Sequence, residues 1–231
     1  MQAALSTTEQ PCRKGLVALG DSITVGAGSM ALGITPLSWA QWLAKALDLA
    51  YTAYAFDGAT TADILHEQLP RVRFQYDVAT LYAGVNDVRA PSFDAAAYER
   101  DLDAVAGGLA ARSARLLMVS LPEDLGRPTS APKPVAANEA VRRVAARHGA
   151  LVADLADFGG WTHVQPDVVH PTPLGQVEIA DRAARALGSP MAPSELVSDR
   201  RAHDMRYAPA HARAVARNLA RRARERVIAP R

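Results

Sequence analysis

The sequence predicts an α/β protein in which a five-stranded parallel sheet carries helices on both faces. Three observations predict it. Short apolar or β-rich runs recur at residues 16–19, 51–56, 78–83, 115–121 and 150–153, each closed by glycine, proline or aspartate. Stretches of helical periodicity separate them, the alternation that builds a parallel sheet. Residues 15–188 contain neither an internal repeat nor a Pro/Gly-rich linker, which predicts one domain. Residues 1–14 then form an N-terminal arm and residues 189–231 a C-terminal extension.

The elements run in order along the chain. Residues 16–19 are uncharged and long enough for one buried strand; the run stops at Gly20-Asp21 and delivers Ser22 just past its carboxyl end. Glycines and serines from Gly26 to Gly33, with Pro36, read as a loop. Ser38 is an N-cap candidate for a helix over 38–47, where Trp39, Trp42, Leu43, Ala46 and Leu47 keep helical spacing. Residues 51–56 are β-rich and exit at Asp57-Gly58. Residues 61–69 read as a helix stopped by Pro70, and 78–83 as a third strand ending in Gly84-Val85-Asn86-Asp87. A long helix spans 93–111 with Asp94 as its cap, followed by a strand over 115–121 closed by Pro122. Prolines 122, 128, 132 and 134 mark a loop. A helix over 134–147 ends at Gly149, and 150–153 form the fifth strand. Gly159, Gly160 and Pro166 break the next stretch, until Thr172 or Pro173 starts a last helix running to about Leu187.

Composition narrows the function class. The chain has 231 residues, 49% hydrophobic and 22% charged, ordinary for a soluble globular protein. Cys12 is the only cysteine, so no intrachain disulfide and no CxxC metal or redox pair exists. Residues 1–14 lack an apolar core of signal-peptide length, and no apolar run approaches the roughly 20 residues that span a membrane, which predicts a cytoplasmic protein. The net charge of +2 hides an asymmetry: residues 191–231 carry ten arginines against four carboxylates, leaving residues 1–190 mildly acidic.

If the sheet is parallel, its carboxyl rim receives Ser22, Gly58 and Asn86 from three strand ends, and Asp167 and His170 from the segment before the last helix. Each suits acyl transfer. A serine hydroxyl needs an adjacent base, and histidine, titrating near 6.5, supplies one. A carboxylate on the far ring nitrogen fixes the tautomer. Backbone N–H groups and an asparagine amide are donors for a developing oxyanion. Gly58 brings an N–H close to a ligand with no Cβ in the way. Ser22 and His170 also have plain structural readings, Ser22 as the cap of the next helix and His170 as a satisfied structural histidine. Asp21 and Asp87 are read as structural, bonding nearby backbone donors. Among the other histidines, His66 and His148 read as exposed helix positions, and only His163 rivals His170.

These blocks resemble the SGNH (GDSL-type) hydrolase family: Gly20-Asp21-Ser22-Ile23-Thr24, then the glycine of Phe56-Asp57-Gly58-Ala59, then Gly84-Val85-Asn86-Asp87, then Asp167-Val168-Val169-His170-Pro171. The resemblance covers residues 15–188. It implies a flavodoxin-like three-layer α/β/α sandwich with a five-stranded parallel sheet. It further implies Ser22 as nucleophile, His170 as general base and Asp167 as its orienter. Ser22 N–H, Gly58 N–H and the Asn86 side chain would form the oxyanion hole. The activity implied is hydrolysis of a small-molecule carboxylic ester, with no cofactor and no metal. The first block carries Ile23 where the family usually has leucine, a conservative change. G-x-S-x-G, G-x-x-x-x-G-K-[ST] and H-E-x-x-H are absent.

Two other readings stand beside this one. An acyltransferase would use the same residues with an alcohol in place of water. A non-catalytic binding protein would work through the basic tail, a reading weakened because no catalytic position is substituted. Within the extension, Ala208, Ala212, Val215, Leu219, Ala223 and Val227 form a narrow apolar stripe amid arginines. The stripe suits docking on the chain's own domain or self-association. The arginines around it suit weak contact with an anionic surface through residues 205–228, and no nucleic acid partner is expected. Met30, Leu32, Ile34, Leu37 and Trp39 either line an apolar acyl pocket or pack the following helix.

Overall fold

The computed structural model describes residues 13–26, 33–125, 132–197, 205, 207–213 and 215–216. Most of the N-terminal arm, Met30, Leu32, His203 and the stripe residues Leu219, Ala223 and Val227 lie outside the described residues.

Five parallel strands, β1 (Leu16–Gly20), β2 (Tyr51–Ala53), β3 (Tyr76–Tyr82), β4 (Ser113–Val119) and β5 (Leu151–Ala153), lie in the order β2-β1-β3-β4-β5. This is the flavodoxin-like order, with its switch point between β1 and β3. Register aligns Gly20 with Tyr82, and Val119 with Ala153, so the carboxyl ends share one rim. Every residue of β1 is buried, which explains its unbroken apolar sequence; a strand covered on both faces has no polar side. β2 stops at Ala53 rather than running to Phe56, because this edge strand has only β1 to pair with.

The helices are α1 (Ser22–Val25), α2 (Trp39–Ala46), α3 (Thr61–Asp63), α4 (Val85–Arg89), α5 (Ala95–Ala110), α6 (Pro132–His148) and α7 (Pro173–Ala186). Right-handed crossovers leaving the switch point in opposite directions put helices on opposite faces. Accordingly α2 packs on α7, and α5 on α6. Side chains start these helices as the sequence predicts: Ser38 accepts from Gln41 N–H, Asp94 from Ala96 and Ala97, and Thr172 from Gly175. Each such cap stabilises its helix by about 1 kcal/mol.

Three local features depart from the sequence reading. The segment expected to be one α-helix over 61–69 passes from α3 into a π-helical stretch, Ile64–Gln68, and then a 3₁₀ turn, Leu69–Arg71. Pro70 sits in the first turn of that 3₁₀ element, where its missing N–H costs little. The short helices α1 and α4 were not anticipated, since four or five residues carry no periodicity. His148 is half-buried rather than exposed, its Nε2 lying 3.0 Å from Asp103 on α5. It joins a surface network in which Glu99 meets Arg143 and Arg147, exposed pairs that solvent screens.

Ile34 and Trp39 are buried in the core, and Leu37 packs against it, so these three serve packing rather than an open pocket. In the extension, Ala208 and Ala212 are exposed, while Tyr207, Ala210, His211 and Val215 are the covered positions. Among the described residues the covered face is thus rotated from the alanine stripe, with only Val215 in common. Among the described residues, no helix is long and apolar enough to cross a membrane.

Candidate active site

β1 delivers Asp21 and Ser22 at the switch point. Asp21, not Ser22, caps α1: its Oδ1 accepts from Ile23 N–H at 2.9 Å. Ser22 is therefore the first helical residue, and its hydroxyl points away from the capping role. Its own N–H belongs to the first turn, where no intrahelical carbonyl can reach it.

The opposing side chains come from a small hairpin between β5 and α7. Val164 and Pro171 form an antiparallel bridge, Gln165 N–H donates to the His170 carbonyl at 2.8 Å, and Thr172 N–H donates to the His163 carbonyl at 2.8 Å. Thr172 Oγ1 donates to the Thr162 carbonyl at 2.6 Å. Gly175 lets the hairpin sit on the start of α7, since a Cβ there would lie 2.0 Å from the His163 carbonyl oxygen. At the tip, Val168 holds φ +62, a strained conformation for a β-branched residue. Asp167 supports that strain: its Oδ1 accepts from Val169 N–H and His170 N–H, both at 3.0 Å.

The second oxygen of the same carboxylate, Asp167 Oδ2, lies 2.6 Å from His170 Nδ1. A carboxylate is acceptor-only, so Nδ1 carries the proton and Nε2 of the neutral ring is left as an acceptor. Ser22 Oγ stands 3.0 Å from that Nε2. The Ser22, His170 and Asp167 side chains thus form one hydrogen-bonded chain.

Electrostatics follow the same contacts. His170 is raised above its ordinary value, chiefly by the Asp167 hydrogen bond. Partial burial pulls it down, the Asp167 and Asp21 charges push it up, and Arg89 opposes them. For Asp167, burial works against ionisation, but His170 and the two backbone donors outweigh it, and the carboxyl stays below its usual range. Asp21 is fully buried, and that burial pushes it up to about 7. Asp87 is also raised by burial, while its oxygens accept from Thr61 N–H and Oγ1. Both aspartates bond backbone donors, the structural use expected of them.

Asn86 lies on α4, just past β3. Its Nδ2 donates to the Ala59 carbonyl at 3.0 Å and lies 3.5 Å from Asp21 Oδ2. The amide carries two donors; Ala59 takes the good geometry of one. Gly58 sits in the loop beyond β2, exposed, at φ +79, with nothing within 4 Å of where a Cβ would stand. Its glycine is required by that backbone conformation rather than by crowding within the protein. His163 meets Phe158 edge-on at 6.1 Å and its Nδ1 lies 3.2 Å from Thr162 Oγ1, a setting that serves the hairpin base. His66 is exposed on its helix. Among the described residues, no group of three or more His, Cys, Asp or Glu side chains is arranged to hold a metal ion.

Sequence reasoning missed Gln68 and Gln176, both fully buried beneath the serine turn. Gln68 bonds both backbone groups of Gly20, and Gln176 bridges the Ile23 carbonyl and Trp39 N–H. It also missed Tyr207, which carries no sequence signal of its own.

Residues 18–177 match the model of the GDSL-like lipase/acylhydrolase family. No curated protein matches the sequence significantly. Several solved structures share the fold. LAE5, an alpha/beta hydrolase from the metagenome of Lake Arreo, Spain, is 21% identical, with TM-score 0.64 over 76% of this chain and 95% of its own. Axe2, an acetylxylan esterase from Geobacillus stearothermophilus, is 16% identical, with TM-score 0.61 over 76% and 94%. TesA is 22% identical, with TM-score 0.61 over 75% and 97%.

Proposed function

The chain belongs to the GDSL-like lipase/acylhydrolase family, enzymes that hydrolyse carboxylic esters, and we propose that it does so through a covalent acyl intermediate on Ser22. The observation that carries this reading is the continuous contact from Ser22 Oγ to His170 Nε2 at 3.0 Å, and from Nδ1 to Asp167 at 2.6 Å.

In the first half-reaction, Ser22 Oγ attacks the ester carbonyl carbon while Nε2 of His170 takes the hydroxyl proton. The carbonyl electron pair moves onto oxygen, and Ser22 N–H, Gly58 N–H and Asn86 Nδ2 donate to that oxyanion. Each such donor is worth about 3–4 kcal/mol in the transition state. The imidazolium, stabilised by Asp167, returns its proton to the departing alcohol oxygen, leaving an acyl ester on Ser22. Water then attacks with His170 as base, and the carboxylic acid leaves with Ser22 restored. Asp21 and Asp87 do not move protons here. They hold the turns on which Ser22 and Asn86 stand.

The test is hydrolysis of p-nitrophenyl acetate, butyrate and octanoate by the wild type and Ser22→Ala, with mass spectrometry after a fluorophosphonate probe. The expected result is an adduct on Ser22 and a fall of about 10⁴-fold in kcat on substitution. The order of rates along the chain-length series sizes the acyl subsite. Turnover that survives Ser22→Ala overturns the assignment of the nucleophile.

A further inference from the structure

Tyr207 lies outside the stretch that matches the family, which ends at residue 177, yet it is only 1% exposed. It is covered against the hairpin that carries Asp167 and His170. Its ring stacks on Trp161, with centroids 6.0 Å apart and planes 16° from parallel. Its hydroxyl donates to the Val164 carbonyl at 3.4 Å. One helical turn on, His211 Nδ1 lies 2.9 Å from that hydroxyl, and its ring meets Trp161 edge-on at 5.7 Å. Val164 is the hairpin residue bridged to Pro171, the immediate neighbour of His170.

The two sides of the hairpin are held differently. On the inner side, Thr172 bonds Thr162, and the backbone of Gly175 seats the base on α7. On the outer side lies a cavity of about 340 Å³, bordered by Trp161, Val164, Pro166, Val168, His211 and Val215. The strained residue Val168 is among those that border this cavity. Val164 of this arm packs against the domain core, and the Tyr207, Trp161 and His211 rings add packing over the same arm. Tyr207 stands near enough to Asp167 to feel its charge: burial first, and then that carboxylate, push the phenol up to about 12.

We infer that Tyr207 is a positioning residue for the reaction: from the C-terminal extension it braces the outer arm of the hairpin and so fixes the stance of the His170 imidazole toward Ser22. The inference rests on the hydrolytic reading above. A general base must stay within hydrogen-bond reach of its proton, so a small displacement of the hairpin lowers kcat without altering substrate binding.

The test uses the full chain and four variants: Tyr207→Ala, Tyr207→Phe, Trp161→Ala, and Arg213→Ala on the exposed side of the same helix. Tyr207→Ala is expected to lower kcat about tenfold, short of the ~100-fold of a full-ångström misplacement. KM stays within about twofold, since binding contacts are untouched. The acid limb of the kcat–pH profile moves, and the downfield Nδ1 proton signal of His170 broadens or disappears. Tyr207→Phe restores all three, because the ring packing rather than the long hydroxyl contact carries the brace. Arg213→Ala matches the wild type. Trp161 is half-exposed, so Trp161→Ala tests the same brace if Tyr207→Ala does not fold, with the same direction expected. A folded Tyr207→Ala or Trp161→Ala with an unchanged limb and an unchanged proton signal overturns the inference, even if its melting temperature falls. A wild type that hydrolyses no ester overturns the hydrolytic reading instead, while the proton signal still reports on the brace.

Discussion

Gln68 holds the backbone of Gly20 by both ends of its amide: Oε1 accepts from the Gly20 N–H at 3.0 Å, and Nε2 donates to the Gly20 carbonyl at 2.8 Å. Gly20 ends β1 two residues before Ser22, so this clamp sets where the serine turn begins. Pairing of β1 with the edge strand β2 ends at Ala18 and Ala53, so at Gly20 that side of the ladder supplies no partner, and a buried backbone group without one is costly.

Replacing Gln68 with leucine keeps the volume and removes both partners. Two buried backbone groups then stand unsatisfied, at about 1–3 kcal/mol each. Gln68→Leu is expected to lose about 2–5 kcal/mol in urea unfolding, with kcat reduced in whatever protein remains folded. A loss under about 1 kcal/mol would mean that the Gly20 groups find other partners without it.

The clamp also shows where sequence reading stops. Strand ends were legible because each apolar run is closed by a glycine, a proline or an aspartate. The rim placed Ser22, Asn86, Asp167 and His170 together, and the resemblance to the GDSL-type family singled them out. The amides were not legible. Gln68, Gln176 and Asn138 each bond backbone groups of a distant segment, and nothing in the local sequence separates such a glutamine from one on a solvated helix face. Asp21 and Ser22 are both good caps, so only geometry decides which one starts α1 and leaves the other its hydroxyl. The burial of the extension's described residues was not legible for a related reason. Alanines at helical spacing drew the stripe, whereas the burial comes from Tyr207 and His211, whose partners Trp161 and Val164 lie far back in the chain.

In the proposed mechanism His170 acts as base only when neutral, and its pKa stands above the ordinary value of about 6.5, chiefly through Asp167. The rate is therefore expected to rise along an acid limb whose midpoint lies above that value. Asp167→Asn removes the principal raising contact and leaves burial, which lowers the pKa, so the limb moves to lower pH. The plateau kcat falls about 10²–10⁴-fold, because the tautomer is no longer held. A kcat–pH profile of both proteins reads this out, and a limb that stays in place would separate Asp167 from the titration. Linkage gives the matching stability effect. The folded pKa of His170 is raised, so its contribution is fully present below the unfolded value and is lost as pH rises through the folded one.

Asp21 gives the opposite kind of window. Its folded pKa is pushed up to about 7 from 3.8, with burial the main cause. Between those values the folded protein keeps a proton that the unfolded chain has released, so rising pH favours unfolding by about 1.4 kcal/mol per unit. Asn has no proton to lose. The stability of Asp21→Asn relative to the wild type is therefore expected to improve steadily from about pH 4 to pH 7 and then level off. Any fixed penalty from setting a second amide beside Asn86 adds the same amount at every pH, so the slope isolates the ionisation. Urea unfolding of both proteins across that range measures the difference. A pH-independent difference would mean that Asp21 is ionised in the folded state throughout, with its charge held by Ile23 N–H and His170 rather than suppressed by burial.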